Sequence, residues 1–435
     1  MKKIESGTRV KVTKGKQVFE GVVVPSDEEK VLLLKLDSGY NVGVGLDSSV
    51  KLEKLSSKKH VFGKAALRKV KARGGLPSVS LVSTGGTIAS RVDYTTGAVQ
   101  GSMSPEEIIS TSPEIAQVVS FKSVQSPFRI QSEDVTPREW GVIAKTVAKE
   151  LNSGAVGVIV THGTDTMHYT SAALSFMLGN LNSPVALVGA QRSPDRGSFD
   201  GRLNLLCAAN YAKSSFAEVA VVMHGTSSDD YCFAHRGTKT RKMHATRRDA
   251  FKSVNAKPLA KIFPDGRVEQ LNLDARKRVF AEGGKVVADV AFEEKTAIVK
   301  VFPGASPEIL DFFVDKKYKG IVLEATALGH VPTIMTAEST SKSWIPSLKR
   351  AIDCGLTVAV TSQCLYGSTN PSVYSNLRAV SSLGAIYCRD MLPETAYVKL
   401  GWVLSREKKP ERIRVLMERN IAGEYNDKLT QDDFL

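Results

Sequence analysis

The chain has 435 residues, of which 42% are hydrophobic and 24% are charged. This composition is typical of a folded globular protein and excludes a disordered, collagen-like or coiled-coil chain. A prior of about 150 residues per domain predicts roughly three domains. Lys and Arg number 59 against 45 Asp and Glu, so the net charge is +14, which favours encounter with polyanions without indicating a fold.

The positive charge is concentrated at the amino-terminal end. Residues 1–75 contain 17 Lys or Arg and 8 Asp or Glu, a balance of +9 that leaves +5 for the remaining 360 residues. Seven basic residues and no acidic one lie between Lys58 and Arg73. A solvated linker and a contact with nucleic acid or an acidic partner fit this pattern equally well.

Neither the amino terminus nor the cysteines indicate secretion. The first residues, MKKIESG, lack the apolar segment of a signal peptide, and no uncharged apolar run approaches the roughly 18 residues of a membrane span. The five cysteines are odd in number and show no CxxC spacing, which fits a reducing compartment. We therefore expect a cytoplasmic protein with no membrane contact.

The first 55 residues predict a small β-barrel domain of the SH3-like or OB-like kind. Apolar and polar residues alternate in short segments separated by glycines, a pattern typical of strands joined by turns. Strands are predicted over 8–13, 18–24, 31–36 and 40–44. The basic segment 56–77, which ends in GGLP, is predicted to be a linker.

From residue 78 onward the pattern becomes that of an α/β protein. Apolar runs at 79–83, 156–161, 185–189, 219–223, 321–324 and 356–361 are each followed by a polar, glycine-bearing loop and a helical pattern. Runs that are apolar on both faces predict a parallel sheet covered by helices on both sides. We place the main catalytic loops in a domain over 78–265, a connector over 266–295 and a second α/β domain over 296–435.

Three loops after predicted strands carry residues that could perform chemistry: 83–90 (STGGTIAS), 161–168 (THGTDTMH) and 236–245 (RGTKTRKMHA). Ligands of such sheets bind beyond the carboxyl ends of the strands. Taken singly, each loop is better explained as a tight turn, a helix cap or a solvated basic loop. No nucleotide-binding glycine motif is present. No HExxH is present either, so we predict no metal in this chain. Cys364 is expected to be a buried structural thiol.

Taken together and in order, the three loops resemble those of the bacterial-type L-asparaginase family. Further similar segments are VGAQR at 188–192, DGRLNL at 200–205, VFPG at 301–304 and DMLPETA at 390–396. The resemblance covers about residues 78–420.

The resemblance implies four catalytic residues. Thr87 corresponds to the threonine that forms the acyl-enzyme. Thr164, Asp165 and Lys242 correspond to a second set in which Lys242 is the base and Asp165 orients it and binds the substrate ammonium. Lys242 is preferred to Lys239 because its nine-residue distance to Phe251 matches the family. The resemblance leaves open which threonine attacks first.

Three further residues are implied to bind the substrate. Tyr94, in DYTTG, corresponds to a mobile tyrosine beside the nucleophile. Ser132 and Glu133, in QSED, correspond to the segment that holds the α-carboxylate and α-ammonium of the substrate.

The basic segment in front of this core distinguishes the chain from a plain asparaginase. The combination resembles the D subunits of the archaeal glutamyl-tRNA(Gln) amidotransferase. That resemblance implies an α/β fold in which a two-domain asparaginase-like parallel-sheet core follows a small SH3-like β-barrel. It also implies a homodimeric core and a glutaminase, without a cofactor of its own, that converts glutamine to glutamate and ammonia.

The same resemblance implies a partner. An E subunit, in a two-plus-two heterotetramer, would use ATP and Mg²⁺ to activate glutamyl-tRNA(Gln) and amidate it with the ammonia, and the tRNA would be held mainly by that partner. One alternative is a stand-alone L-asparaginase with an accessory domain. A second is a nucleic-acid-binding protein with an inactive core, which rests on the basic amino-terminal region.

Overall fold

A computed structural model of the chain describes residues 4–26, 28–37, 40–55, 75–92, 99–101, 103–279, 284–333 and 341–434. The predicted linker, 56–77, lies outside the described residues except for its last three positions. Tyr94 lies outside them as well, and so does the basic run from Lys58 to Arg73.

The amino-terminal strands form one five-stranded antiparallel sheet with a barrel-like arrangement. In the order β4-β3-β2-β1-β5, the strands are β1 (Arg9–Lys14), β2 (Gln17–Val24), β3 (Val31–Leu36), β4 (Asn41–Gly45) and β5 (Val50–Lys54). Val10, Val12 and Leu34 are fully buried in its interior. The predicted strands are confirmed to within two residues, whereas β5 is not predicted because its short alternating pattern becomes a strand only by pairing with β1.

The chain after residue 77 builds an eight-stranded mixed sheet and several two-stranded pairs. Its strands are β6 (Ser78–Ser83), β7 (Ser90–Val92), β8 (Val99–Gly101), β9 (Ser120–Gln125), β10 (Val158–Thr161), β11 (Leu178–Gly179), β12 (Val185–Val188), β13 (Val219–His224), β14 (Cys232–Arg236), β15 (Thr240–Lys242), β16 (Phe251–Ser253), β17 (Ala260–Ile262) and β18 (Val268–Gln270). The eight-stranded order is β9-β6-β10-β12-β13-β14-β17-β18.

This sheet is parallel only in part. Its first five strands are parallel, and β14, β17 and β18 continue it antiparallel. The predicted parallel sheet is present in these five strands. The antiparallel extension was not predicted, and it arises because the loop from β13 to β14 is too short for the crossover that a parallel neighbour requires. Strand β18 carries the sheet to Gln270, into the segment predicted to be a connector.

Four helices cover the two faces of this sheet. They are α1 (Pro105–Ser110), α2 (Pro137–Asn152), α3 (Met167–Met177) and α4 (Gly201–Ala212). Helices α1 and α4 pack on one face, and α2 and α3 pack on the other. Helix α1 begins directly after Ser104, whose hydroxyl accepts a hydrogen bond from the Glu107 amide in a capping box.

A second sheet follows, with four parallel strands in chain order. After β19 (Val287–Ala288), which pairs with β11, its strands are β20 (Thr296–Lys300), β21 (Gly320–Ala325), β22 (Thr357–Ser362) and β23 (Ile386–Tyr387). Its helices are α5 (Glu308–Asp315), α6 (Ile345–Asp353), α7 (Ser375–Ser382), α8 (Pro393–Leu404) and α9 (Pro410–Glu418). Helices α5 to α7 cover one face and α8 and α9 the other.

Helix α8 joins the two sheets. Its Leu400 packs with the second sheet, whereas Val398 packs with α2 and α3 of the first. One buried helix therefore fixes the second half of the core against α3, which begins beside the candidate site. Within the described ranges, no helix has the length and apolar composition needed to cross a membrane. The predicted α/β core with a small antiparallel unit in front of it is confirmed.

Candidate active site

Loops from four neighbouring strands meet at one edge of the eight-stranded sheet. Strands β9, β6, β10 and β12 lie side by side and parallel, so their carboxyl ends share that edge. Ser132, Thr87, Thr164 and Gln191 follow these strands in that order. This edge is where α/β sheets bind their ligands. The strand order therefore brings together two of the three predicted loops, those that carry Thr87 and Thr164.

The loop that carries Thr87 is held against its neighbours by backbone contacts. Thr84 donates from its amide and from Oγ1 to the carbonyl oxygen of Thr161, at 3.1 and 2.8 Å. Gly85 (φ +112°) and Gly86 (φ +78°) adopt the left-handed region, which favours glycine. Thr87 then opens a short 3-10 helix, and its side chain forms no hydrogen bond with another described residue.

A small cavity opens beside this glycine pair. Its volume is about 110 Å³, and it is lined by Gly85, Gly86, Ala89, Met103, Arg129, Ile130 and Gln131. The cavity therefore lies next to the loop that carries Thr87.

Lys242 reaches the site from the β15–β16 hairpin. Its Nζ lies 2.8 Å from Thr164 Oγ1 and 2.6 Å from Asp165 Oδ1. The lysine side chain is 8% exposed, whereas that of Asp165 is 64% exposed. The amine is therefore shielded from solvent, whereas the carboxylate that pairs with it is exposed to solvent. An amine and a hydroxyl at this distance can exchange a proton once the amine is neutral.

Lys239, the other lysine of this segment, lies elsewhere. Its side chain is fully buried, and its Nζ lies 2.5 Å from Asp390 Oδ2. Burial lowers the pKa of Lys239, and the carboxylate of Asp390 opposes that shift. Asp390 belongs to the second half of the core, so this pair joins the two halves. Lys242, and not Lys239, is the lysine in contact with Thr164.

Ser132 joins the Thr164 loop directly, whereas Glu133 does not. The Asp165 amide donates to Ser132 Oγ at 3.2 Å, and Thr166 Oγ1 donates to the Ser132 carbonyl at 2.5 Å. Ser132 is buried. Glu133 is exposed and forms no hydrogen bond or ion pair with the other described residues, so its carboxylate faces solvent at the rim of the site.

His162 stiffens the loop from behind. It is fully buried, and burial lowers its pKa to about 4, so the ring is neutral near pH 7. Nδ1 lies 2.7 Å from the Gly163 carbonyl and Nε2 lies 3.0 Å from Thr170 Oγ1. Because a carbonyl only accepts, Nδ1 carries the proton and Nε2 accepts from Thr170. The ring thereby links the Thr164 loop to α3.

Gln191 is a site residue that the sequence reasoning did not single out. Its Oε1 lies 3.5 Å from Thr164 Oγ1. Its backbone N–H donates a hydrogen bond to the buried carboxylate of Asp200 at 3.0 Å. Its Nε2 is buried without a hydrogen-bond partner among the described residues. The VGAQR segment directly after β12 is the signal that could have identified it. An unpartnered amide donor here can bind a ligand oxygen.

The described residues contain no group of three or more His, Cys, Asp or Glu side chains placed to hold a metal ion. That this chain carries no cofactor stays a prediction. The expectation for Cys364 is wrong, because this thiol is exposed. Cys364 follows the end of β22, where the chain turns outward, whereas Cys207, Cys232 and Cys388 are buried.

Comparisons with known families cover nearly the whole chain. A model of the asparaginase N-terminal domain matches residues 78–276, and a model of the glutaminase/asparaginase C-terminal domain matches residues 295–417. A model of the GatD N-terminal domain matches residues 4–55.

Similar curated proteins match along their full length. A relative from Pyrococcus abyssi is 50% identical over 442 residues, which covers 99% of this chain and 97% of the relative. One from Methanopyrus kandleri is 44% identical over 428 residues, covering 96% and 91%. Both are named as the D subunit of a glutamyl-tRNA(Gln) amidotransferase.

Solved structures match the core. The thermostable L-asparaginase from Thermococcus kodakarensis superposes with a TM-score of 0.70 at 28% identity, covering 81% of this chain and all of that one. L-asparaginase I from Vibrio cholerae gives 0.69 at 28% identity, covering 81% and 99%. The predicted asparaginase-like core is thereby confirmed. The chain belongs to the family of glutamyl-tRNA(Gln) amidotransferase D subunits, whose core has the asparaginase fold.

Proposed function

We propose that this chain is the glutaminase subunit of a tRNA-dependent amidotransferase. It hydrolyses glutamine to glutamate and ammonia, and a partner subunit uses the ammonia to convert Glu-tRNA(Gln) to Gln-tRNA(Gln). The observation that carries the proposal is the contact of Lys242 with Thr164 and Asp165 at the edge where the Thr87 loop arrives.

In the first half-reaction, the hydroxyl oxygen of Thr87 attacks the side-chain amide carbon of glutamine. The hydroxyl proton passes to the Thr164–Lys242 pair and from there to the amide nitrogen. The carbon–nitrogen bond breaks, ammonia leaves, and a glutamyl ester remains on Thr87. In the second half-reaction, water attacks the ester, Thr87 regains a proton, and glutamate is released.

Asp165 has two tasks in this scheme. It accepts a hydrogen bond from Lys242 at 2.6 Å, which holds the amine beside Thr164. Its side chain is 64% exposed, so the same carboxylate is open to the α-ammonium of glutamine.

The amidation itself belongs to the partner. The sequence of this chain contains neither GxGxxG nor GxxxxGK[ST], the loops that commonly hold nucleotide phosphates. We place the use of ATP and Mg²⁺ on an E subunit, with two copies of each subunit around a homodimeric core in the cytoplasm. That partner holds most of the tRNA(Gln).

The test is glutamate release from glutamine under three conditions: the chain alone, with the partner, and with the partner and glutamyl-tRNA. We expect weak release from the chain alone and a rise with each addition, because binding that completes the site avoids wasting ammonia. Thr87→Ala should abolish release throughout. Rapid asparagine hydrolysis that ignores the other components would identify a stand-alone asparaginase. RNA binding with no amide hydrolysis in any condition would identify an inactive core.

A further inference from the structure

A buried carboxylate lies behind the contact between Lys242 and Thr164. Glu394 is in the first turn of α8, and its side chain is 8% exposed. Its Oε1 lies 3.2 Å from Arg241 Nε and 4.0 Å from His168 Nε2. Its second oxygen and His168 Nδ1 are buried without a hydrogen-bond partner among the described residues.

One residue beside Glu394 is in the strand that carries Lys242, and the other is in the helix that follows the Thr164–Asp165 loop. Arg241 precedes Lys242 in β15, and successive side chains of a strand face opposite sides, so Arg241 lies on the face away from Thr164. His168 is in the first turn of α3, three positions after Asp165. One carboxylate from the second half of the core therefore lies beside the strand that carries Lys242 and beside the helix that follows Asp165.

Arg241 is the cation that faces this carboxylate. Burial raises the pKa of Glu394, and the guanidinium of Arg241 opposes that shift. Burial also lowers the pKa of His168 to about 3, so the imidazole is neutral near pH 7 and leaves Arg241 as the cation beside Glu394. A buried carboxylate that loses its only cation is left uncompensated, which proteins avoid. Glu394 and Arg241 therefore hold each other in place.

We propose that Glu394 is a positioning residue for Lys242. Fixed on α8, it anchors Arg241 and with it β15, so that Lys242 Nζ stays at 2.8 Å from Thr164 Oγ1. A displacement of about 1 Å from a reactive geometry costs up to about a hundredfold in rate. The inference rests on the proposed function, since it concerns the same lysine.

The same helix offers a matched control. Lys399 of α8 forms a second ion pair with Glu424, which follows α9, with a separation of 2.6 Å and both side chains fully buried. Glu424 otherwise accepts hydrogen bonds from backbone amides of its own segment, at Ile421 and Ala422. In the described chain neither partner of this pair bonds to β15 or α3. Breaking this pair therefore measures the loss of stability from disrupting a buried ion pair of α8, while the contacts of Lys242 stay intact.

The experiment measures glutamine hydrolysis by the full chain, in the condition where the wild type is most active. Glu394→Gln and Arg241→Gln should each lower kcat at least about tenfold. The KM should change by less than about threefold, since Ser132 and Asp165 are untouched. The kcat of the double variant should be no lower than that of the less active single variant, because the two residues act through the same contact. Glu394→Asp, which keeps the charge, should recover part of kcat. Glu424→Gln should lower Tm and leave kcat of the folded protein within about twofold.

Two results would overturn the proposal. One is an unchanged kcat in folded Glu394→Gln and Arg241→Gln. The other is a loss of kcat that follows Tm equally in these variants and in Glu424→Gln. If Glu394→Gln does not fold, Arg241→Gln carries the test, because this side chain is 30% exposed. A wild type without glutaminase activity refutes the proposed function instead, so the two failures are distinguishable.

Discussion

Gly86 lies directly against the backbone of Gly163: a Cβ atom built on Gly86 would be 2.4 Å from the Gly163 Cα. The two glycines belong to the loops after β6 and β10, so their contact sets how near Thr87 comes to Thr164. Gly86 also has φ +78°, a backbone conformation that is strained for any residue with a side chain. The close approach of the two threonine loops therefore depends on the absence of a side chain at Gly86.

Gly86→Ala should separate the two loops. We expect a loss of about 1–3 kcal/mol in the free energy of unfolding from the steric conflict, together with a clear fall in the kcat of glutamine hydrolysis. Gly154→Ala is the control, since Gly154 has φ +100° and an added Cβ there meets nothing within 4 Å. It should show only the conformational cost, about 1–2 kcal/mol. Equal losses of stability with full activity in Gly86→Ala would contradict the role of this contact.

The two lysines of the 236–245 segment should separate activity from stability. Lys242→Ala should lower glutamine hydrolysis at least about a hundredfold with little change in Tm, since its ion-pair partner Asp165 is largely exposed. Lys239→Ala leaves Asp390 buried and unpaired, which should cost about 3–5 kcal/mol. Thermal unfolding and initial rates of glutamate release measure both effects. An active Lys242→Ala, or an inactive Lys239→Ala with normal Tm, would refute the assignment.

Much of the site follows from sequence because its loops obey a simple rule. Parallel neighbouring strands end at the same edge, so the segments with Ser132, Thr87 and Thr164 had to meet. Apolar runs identified the strands before Thr87 and Thr164 to within about two residues at their starts. No run predicted β9, the strand before Ser132, and the family resemblance alone indicated that residue. The spacing of Lys242 from Phe251 then separated it from Lys239, and the structure places the two lysines in different surroundings.

The remaining features depend on contacts that no local pattern contains. Glu394 reaches Arg241 from the other half of the core, on a helix whose own sequence indicates only an ordinary first turn. Gln191 is one polar residue after a strand, and only its neighbours make it part of the site. The antiparallel strands at the far side of the eight-stranded sheet are three to five residues long, too short to show their direction. These features arise from packing between distant segments.

Removal of the amino-terminal unit should affect assembly more than chemistry. Residues 1–75 contain none of the proposed catalytic positions, so a chain that begins at Leu76 should keep glutaminase activity. The unit contacts the core where the buried Lys35 lies 4.0 Å from Asp195, and we expect a lower Tm once that contact is lost. Affinity for the partner–tRNA complex should fall, and the difference should shrink as salt rises. Equal affinities with and without residues 1–75 would refute this role.

Buried histidines should make the fold sensitive to mild acid. Burial lowers the pKa of His162 to about 4 and those of His168 and His235 to about 3, from 6.5 in the unfolded chain. As pH falls below 6.5 the unfolded chain binds protons that the folded chain excludes, so stability falls towards pH 4. The slope is up to about 1.4 kcal/mol per pH unit for each histidine.

Chemical unfolding at pH values from 7 to 4 measures this slope. His162→Gln should reduce it by about one proton's contribution, since Gln can still donate to Gly163 and does not titrate. His244→Gln is the control, because His244 is exposed in the β15–β16 hairpin. An identical slope in wild type and His162→Gln would show that His162 already takes up its proton in the folded state, contrary to the neutral ring that holds the Thr164 loop against α3.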